Sequence, residues 1–257
     1  MRKTIIAGNW KLYKTINEAI ELANGLKREL FKANFSAVDV VLCPVFTALS
    51  EVAEVLNETD IQLGAQDLYW QDEGAFTGEV SAPMLKDAGC RYVIIGHSER
   101  RQFFGETNEM VNKKIKAALK HELTPIICVG ENLQEREANN TFKVIEGHIQ
   151  GALVDISAKD MLKSVIAYEP VWAIGTGKTA TGEQAQEVHK FIRDLLRKIY
   201  GEEVASSVRI QYGGSVKPEN IVELMGKPDV DGALVGGASL KVDSFSSIVI
   251  KASEVVK

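Results

Sequence analysis

The stretch Tyr92-Val93-Ile94-Ile95-Gly96-His97-Ser98-Glu99-Arg100-Arg101 decides the fold class. It begins with a run that is apolar at consecutive positions, which is typical of a parallel strand covered on both faces. After Gly96 the residues become polar, and an acid in the first turn favours a helix that opens at Ser98. The stretch therefore predicts a buried strand, a short polar turn and a helix.

The same unit recurs from one end of the chain to the other. Helical periodicity with capping-type residues near the start predicts helices at Thr15 to Leu30, Asn108 to Lys120 and Gly182 to Tyr200. Eight strand and helix alternations fit an α/β fold of the closed (β/α)₈ barrel type, although periodicity alone also permits an open, doubly wound sheet. The predicted strands are Thr4 to Asn9, Val38 to Cys43, Ile61 to Ala65, Tyr92 to Gly96, Pro125 to Val129, Ser164 to Glu169, Val208 to Tyr212 and Gly232 to Val235.

Length and charge narrow the function classes. A chain of 257 residues has the usual size of one such barrel, and no linker or composition shift marks a second domain, so residues 1–257 are expected to form a single catalytic domain. The formal charge of −5 disfavours nucleic acid or an anionic membrane surface as a partner. An anionic ligand must therefore be held by local contacts.

Cysteine usage and the first residues favour a cytoplasmic location. Cys43, Cys90 and Cys128 have no C-x-x-C spacing, and their odd number argues against a disulfide framework. The segment Met1 to Asn9 interrupts its apolar stretch too early for a signal peptide, and no apolar run is long enough to span a membrane.

Polar residues follow several of the predicted strands. In a (β/α)₈ barrel the active site lies at the carboxyl ends of the strands, so these residues are the candidates for chemistry. They are Asn9-Trp10-Lys11 after the first strand, His97-Ser98-Glu99 after the fourth, Glu169-Pro170 after the sixth, Gly213-Gly214-Ser215 after the seventh and Gly236-Gly237 after the eighth.

Glu169 and His97 are the candidates for acid–base chemistry. Pro170 biases Glu169 away from helix and presents its carboxylate at a strand end, where it can act as a general base. His97 lies at a helix N-terminus, where the backbone N–H groups disfavour an imidazolium, so the neutral ring can donate a proton to a substrate oxygen. A metal site is not expected, because the other histidines lack zinc-ligand spacing: His121, His148 and His189.

A cation and three glycine-rich turns are candidates for binding an anionic ligand. Lys11 can reach a phosphate and a developing enediolate, and Glu99 can pair with Lys11 or simply begin the helix. Three turns can bring backbone N–H groups close to phosphate oxygens. These turns are Gly175-Thr176-Gly177, Gly213-Gly214-Ser215 and Gly236-Gly237.

The residues after Glu169 have the composition of a lid. Bulky apolar side chains occupy the middle of this segment and small residues occupy its end, so it can close over a ligand and exclude water. The segment is Pro170-Val171-Trp172-Ala173-Ile174-Gly175-Thr176-Gly177-Lys178-Thr179-Ala180.

Five segments, in order along essentially the whole chain, resemble those of the triosephosphate isomerase family. The segment after the sixth strand is the most specific of them. The five are Ala7-Gly8-Asn9-Trp10-Lys11, Gly96-His97-Ser98-Glu99-Arg100-Arg101, Ala167-Tyr168-Glu169-Pro170-Val171-Trp172-Ala173-Ile174-Gly175-Thr176-Gly177, Tyr212-Gly213-Gly214-Ser215 and Leu234-Val235-Gly236-Gly237-Ala238-Ser239-Leu240.

The resemblance implies a TIM barrel that interconverts dihydroxyacetone phosphate and glyceraldehyde 3-phosphate, a reaction of glycolysis and gluconeogenesis, without metal or organic cofactor. It implies a base at Glu169, an electrophile at His97 and oxyanion and phosphate contacts from Asn9 and Lys11, with Glu99 in a supporting role. It further implies that main-chain N–H groups hold the phosphate at Gly175, Ser215, Gly236 and Gly237.

The resemblance also implies a homodimer in which a long loop of each subunit enters its neighbour. Here that loop is Gln66 to Ser81, which contains Trp70, Phe76 and Thr77 and is too apolar at Leu68-Tyr69-Trp70 for a free loop. Two other readings of the residues stay open. One is an aldolase that forms a Schiff base on Lys11, and the other is a phosphate-binding barrel without catalysis.

Overall fold

A computed structural model describes residues 2–31, 33–174 and 180–255. These residues form eight parallel strands that close into a barrel in the order β1 to β8, with β8 paired to β1. The prediction of a closed (β/α)₈ barrel is therefore confirmed, and the open sheet is excluded. The strands are β1 (Thr4–Asn9), β2 (Val38–Cys43), β3 (Ile61–Ala65), β4 (Tyr92–Ile95), β5 (Thr124–Val129), β6 (Val165–Tyr168), β7 (Arg209–Tyr212) and β8 (Gly232–Val235).

Helices follow the strands and cover the outside of the barrel. The starts of the three helices predicted from the sequence are confirmed, because their N-caps are Thr15, Thr107 and Thr181. The helices in the described residues are α1 (Ile16–Leu30), α2 (Leu49–Leu56), α3 (Ala82–Asp87), α4 (Ser98–Phe104), α5 (Asn108–Lys120), α6 (Leu133–Glu137), α7 (Thr141–Ala152), α8 (Ala158–Met161), α9 (Gly182–Tyr200), α10 (Glu202–Ser207), α11 (Ile221–Met225) and α12 (Val242–Glu254).

Alternate residues of each strand serve two separate apolar cores. The side chains that point into the barrel form a small cluster that includes Ala7, Val41, Ile94, Cys128 and Leu234. The side chains that point outward pack with the helices in a much larger cluster. Because the barrel interior is filled, a ligand can bind only at an end of the barrel.

Strand ends are the places where the structure differs slightly from the sequence prediction. Strand β4 ends at Ile95 and β6 at Tyr168, so Gly96 and Glu169 lie just beyond them. Gly96 has a φ of 75°, in the left-handed region, which ends the extended conformation and turns the chain toward α4. No described helix is long and apolar enough to cross a membrane.

Candidate active site

A cavity of about 530 Å³ lies at the carboxyl ends of the strands. It gathers the predicted catalytic and phosphate-binding residues of the described part of the chain, whereas of the described lid residues only Ile174 lines it. Gly175 and the lid residues 175–179 lie outside the described residues. The predicted residues that line the cavity are Asn9, Lys11, His97, Glu99, Glu169, Ser215, Gly236 and Gly237.

The backbone of Glu169 is fixed by a close approach of two strands. Its N–H donates to the carbonyl of Val129 at 2.8 Å, which continues the β5–β6 pairing by one residue. Gly130 follows Val129, and a Cβ there would lie 1.8 Å from the carbonyl oxygen of Glu169. Glycine is therefore required at position 130 for Glu169 to occupy its place, a requirement that the sequence analysis missed.

The carboxylate of Glu169 is buried and fully engaged. The Ser98 N–H donates to its Oε2 at 2.9 Å, the Ser98 hydroxyl donates to Oε1 at 3.1 Å, and His97 Nε2 lies 3.0 Å from Oε1. Burial opposes ionisation, but the interactions with His97 and Ser98 outweigh it and lower the pKa of Glu169 below its ordinary value. In this arrangement the ionised form of the carboxylate is favoured, and its lone pairs are engaged by Ser98 and His97.

His97 caps the start of α4 and its ring orientation follows from that role. Its Nδ1 accepts the N–H of Glu99 at 3.2 Å, so Nε2 carries the proton of the neutral ring and points toward Glu169. Burial alone would lower the pKa of His97, but the carboxylate of Glu169 outweighs burial and raises it. In the neutral ring this tautomer places an N–H donor beside Glu169, but the raised pKa runs against the expectation that the helix N-terminus keeps His97 neutral.

Lys11 is held in a left-handed backbone conformation, with a φ of 52°. Asn9 Oδ1 accepts the Lys11 N–H at 3.0 Å, and Gln66 Nε2 donates to the Lys11 carbonyl at 2.9 Å and to the Cys43 carbonyl at 3.0 Å. These bonds compensate an unfavourable conformation for a residue with a side chain. Gln66, which the sequence placed only in the predicted interface loop, therefore also fixes Lys11.

The side chain of Lys11 extends along the cavity wall and pairs with Glu99. The distance from Nζ to Oε1 is 2.5 Å. A Cβ at Gly236 would lie 3.1 Å from Lys11 Cε, so a side chain at position 236 would crowd the lysine. The sequence left open whether Glu99 pairs with Lys11 or simply begins the helix. In the structure it does both, because it pairs with Lys11 and also lies in the first turn of α4.

The glycine-rich turns permit close packing beneath the cavity. A Cβ at Gly214 would lie 2.2 Å from the hydroxyl oxygen of Tyr212, and one at Gly213 would lie 3.0 Å from Glu169 Cγ. The hydroxyl of Ser239 donates to the Gly236 carbonyl at 2.7 Å, which ties the turn after β8. At these turns, backbone atoms without side chains therefore form the cavity wall.

The described beginning of the lid segment is anchored by a buried acid that the sequence analysis missed. Residues Val171–Ala173 form a 3₁₀ turn, and the Trp172 indole donates to Glu131 Oε1 at 2.9 Å. The Tyr168 hydroxyl donates to the same oxygen at 3.1 Å, and the Val171 N–H donates to the Glu131 carbonyl at 3.0 Å. Glu131 gave no signal in the sequence because the side chains that donate hydrogen bonds to it, Tyr168 and Trp172, are 37 and 41 residues away.

The remaining histidines lie apart from the cavity lining. His121 bonds to Asp72, His189 bonds to the Asp229 carbonyl, and His148 accepts the Gly130 N–H. Within residues 2–31, 33–174 and 180–255, no three His, Cys, Asp or Glu side chains are arranged to share a metal ion.

A closed parallel barrel with a carboxylate and an imidazole 3.0 Å apart at its carboxyl rim has the architecture of a (β/α)₈-barrel enzyme. The particular family follows from comparison with known proteins. The sequence profile of triosephosphate isomerase matches residues 4–252, and the chain belongs to the triosephosphate isomerase family.

Curated relatives support the same family over nearly their full lengths. The chain is 59% identical over 249 residues to a triosephosphate isomerase of Trichlorobacter lovleyi, which covers 97% of this chain and 98% of the relative. It is 61% identical over 249 residues to one of Geotalea uraniireducens, with the same coverage. A third, of Carboxydothermus hydrogenoformans, is 59% identical over 251 residues, again with 97% and 98% coverage.

Ser98→Ala is expected to raise the pKa of Glu169. The variant loses the hydroxyl that donates to the ionised carboxylate but keeps the backbone N–H donor, so the charged form is less stabilised. The titration of the Glu169 carboxyl carbon, followed by ¹³C NMR in the free protein, measures this change. Ser206→Ala, on the exposed part of α10, is the matched control. A midpoint that stays the same or falls in Ser98→Ala would contradict the assignment.

Proposed function

We propose that this chain is an aldose–ketose isomerase that interconverts dihydroxyacetone phosphate and glyceraldehyde 3-phosphate, and that residues 1–257 act as one catalytic domain. The observation that carries the residue assignment is the meeting of Glu169 and His97 at one cavity, with Nε2 and Oε1 3.0 Å apart. A base and a proton donor this close can act on adjacent atoms of one three-carbon molecule.

Glu169 is the base of this proposal. It removes a proton from the carbon next to the carbonyl, and the electron pair of the broken C–H bond moves toward the carbonyl oxygen to give an enediolate. The proton then returns to the former carbonyl carbon, while the hydroxyl proton of the substrate passes to the former carbonyl oxygen, so that the new carbonyl forms on the neighbouring carbon. To reach a substrate, the carboxylate has to leave the Ser98 donors, and the loss of these hydrogen bonds in a buried site raises its pKa and its strength as a base.

His97 and Lys11 stabilise the negative charge that develops on oxygen. When Glu169 turns to the substrate it no longer faces His97 Nε2, so burial and the Glu99 N–H favour the neutral ring with its N–H free for the substrate oxygen. Lys11 adds a positive charge, and Asn9 and Gln66 keep its backbone in place. Glu99 orients the lysine ammonium group.

The phosphate of the substrate is assigned to the glycine-rich side of the cavity. Ser215, Gly236 and Gly237 line it, and their backbone N–H groups are the proposed ligands. Gly175 completes this set by the family resemblance alone. Closure of the lid segment, residues 170–180, excludes water and keeps the enediolate from losing its phosphate.

The two alternative functions are not favoured. A Schiff base needs a neutral amine, whereas Lys11 forms an ion pair with Glu99 at 2.5 Å. A binding module without catalysis would explain the glycine-rich turns but gives no reason for Glu169 and His97 to share one cavity. Family membership supports the isomerase instead.

A homodimer through the loop from Gln66 to Ser81 is also proposed. Tyr69 stacks against Trp70 with a centroid distance of 4.1 Å and against Phe76 at 4.6 Å, so the aromatic residues form a preformed surface. Large apolar side chains are exposed on the segments after β1 and at the end of α4, which a partner subunit would cover. They are Leu12, Tyr13, Phe103 and Phe104. A cytoplasmic location is proposed as well, since the three cysteines are free and buried.

Glu169→Asp is expected to lower kcat by about 100-fold or more, because the shorter side chain retracts the base by roughly one ångström or more from the reacting carbon. A coupled assay of triose phosphate interconversion in the presence of a metal chelator measures the effect, with the wild-type chain as reference. Glu187→Asp, on the exposed side of α9, is the control. Inhibition by inorganic phosphate should survive in Glu169→Asp. An unchanged kcat would remove Glu169 from the role of base.

Sedimentation equilibrium is expected to give about twice the chain mass of 28.2 kDa. Phe76→Asp should shift the protein toward the monomer, because it buries a charge in the proposed interface. Phe31→Asp changes a more exposed phenylalanine at the end of α1, outside the predicted loop, and should leave the dimer intact. A monomeric wild-type chain, or a dimer that tolerates Phe76→Asp, would contradict this interface.

A further inference from the structure

The charges that line the cavity leave one cation without a partner among the described residues. Four side chains of the lining are formally charged: Lys11, Lys217, Glu99 and Glu169. Lys11 and Glu99 pair at 2.5 Å and largely cancel each other. Without Lys217, the described lining would carry the net negative charge of Glu169 toward an anionic ligand.

Hydrogen bonds fix the backbone around Lys217, but its ammonium group has no partner among the described residues. The backbone N–H of Lys217 donates to Asn220 Oδ1 at 2.8 Å, and Asn220 Nδ2 donates to the Ser215 carbonyl at 3.0 Å. Lys251 Nζ donates to the Pro218 carbonyl at 2.8 Å on the other side of the loop. The side chain is exposed and forms no hydrogen bond or ion pair with any residue that the structure describes.

We propose that Lys217 captures phosphate dianions at the mouth of the cavity and so determines preference for doubly charged ligands. The inference rests on the proposed function, since it takes the phosphate group of the substrate as the ligand. Lys217 follows Ser215 by two residues and lines the same cavity as Gly236 and Gly237, so its charge acts on the place assigned to the phosphate. A lysine is suited to this role because it acts as a mobile point charge.

The action of Lys217 is electrostatic attraction over a distance. A cation and a dianion on opposite sides of a small cavity attract each other in water enough to change binding about threefold when salt is low. Salt screens most of this attraction above about 0.1 M, because the Debye length falls to about 10 Å. Since a rim charge acts on ligand capture more than on the chemical step, kcat/KM changes while kcat does not.

The test compares three variants with the wild-type chain over a range of ionic strength. Lys217→Gln removes the charge, Lys217→Arg restores it, and Lys198→Gln removes an equivalent charge from the exposed last turn of α9. Because helices run antiparallel to the strands, Lys198 lies near the opposite end of the barrel. Steady-state kinetics gives kcat and KM, and calorimetry gives the dissociation constant of inorganic phosphate.

In low salt, Lys217→Gln is expected to lower kcat/KM and to weaken phosphate binding by about threefold, with both effects shrinking as salt is added. Lys217→Arg should restore wild-type values, and Lys198→Gln should match wild type. Equal salt dependence of phosphate binding in Lys217→Gln and wild type would overturn the proposal. If the wild-type chain proved to lack isomerase activity, the proposed function would fail, and the calorimetric comparison would still decide the role of Lys217.

Discussion

Closure of the parallel sheet is the constraint on which the site depends. The pairing of Gly8 with Val235 joins the last strand to the first, so the residues that follow both strands meet. All strands run in parallel, and their carboxyl ends therefore form one rim. Asn9 and Gly237, near opposite ends of the chain, line one cavity for this reason. An open sheet would separate them.

Close backbone approaches then set the positions of the reacting groups. Because Gly130 has no side chain, the end of β5 can approach the backbone of Glu169 closely. Gln66 stabilises the left-handed conformation of Lys11 by a hydrogen bond to its carbonyl. Local contacts also set the ionisation of Glu169. His97 and Ser98 hold the Glu169 carboxylate ionised although it is buried. In a chain of net charge −5, the anionic ligand is assigned instead to Lys11 and to the glycine-rich side of the same cavity. Local charges at the cavity, rather than a positive field over the whole surface, attract the ligand.

The sequence predicted the fold, and it pointed to candidate residues that line one cavity, because these signals are local. Apolar runs mark strands, and polar residues at strand ends such as His97 and Glu169 stand out from the packing pattern. It could not predict Gln66 bound to Lys11 or Glu131 bound to Trp172, since these contacts join residues 55 and 41 positions apart. Such contacts depend on how helices and loops pack, and no local pattern encodes them.

In the proposed reaction, one carboxylate transfers a proton between adjacent carbons through an enediolate. Conversion of dihydroxyacetone phosphate in deuterium oxide, analysed by NMR of the product, tests it directly. A carboxylic acid that exchanges its proton with solvent would place deuterium on carbon 2 of glyceraldehyde 3-phosphate. A product that holds no deuterium on that carbon, even after many rounds of interconversion, would indicate a direct hydride shift and contradict a carboxylate base.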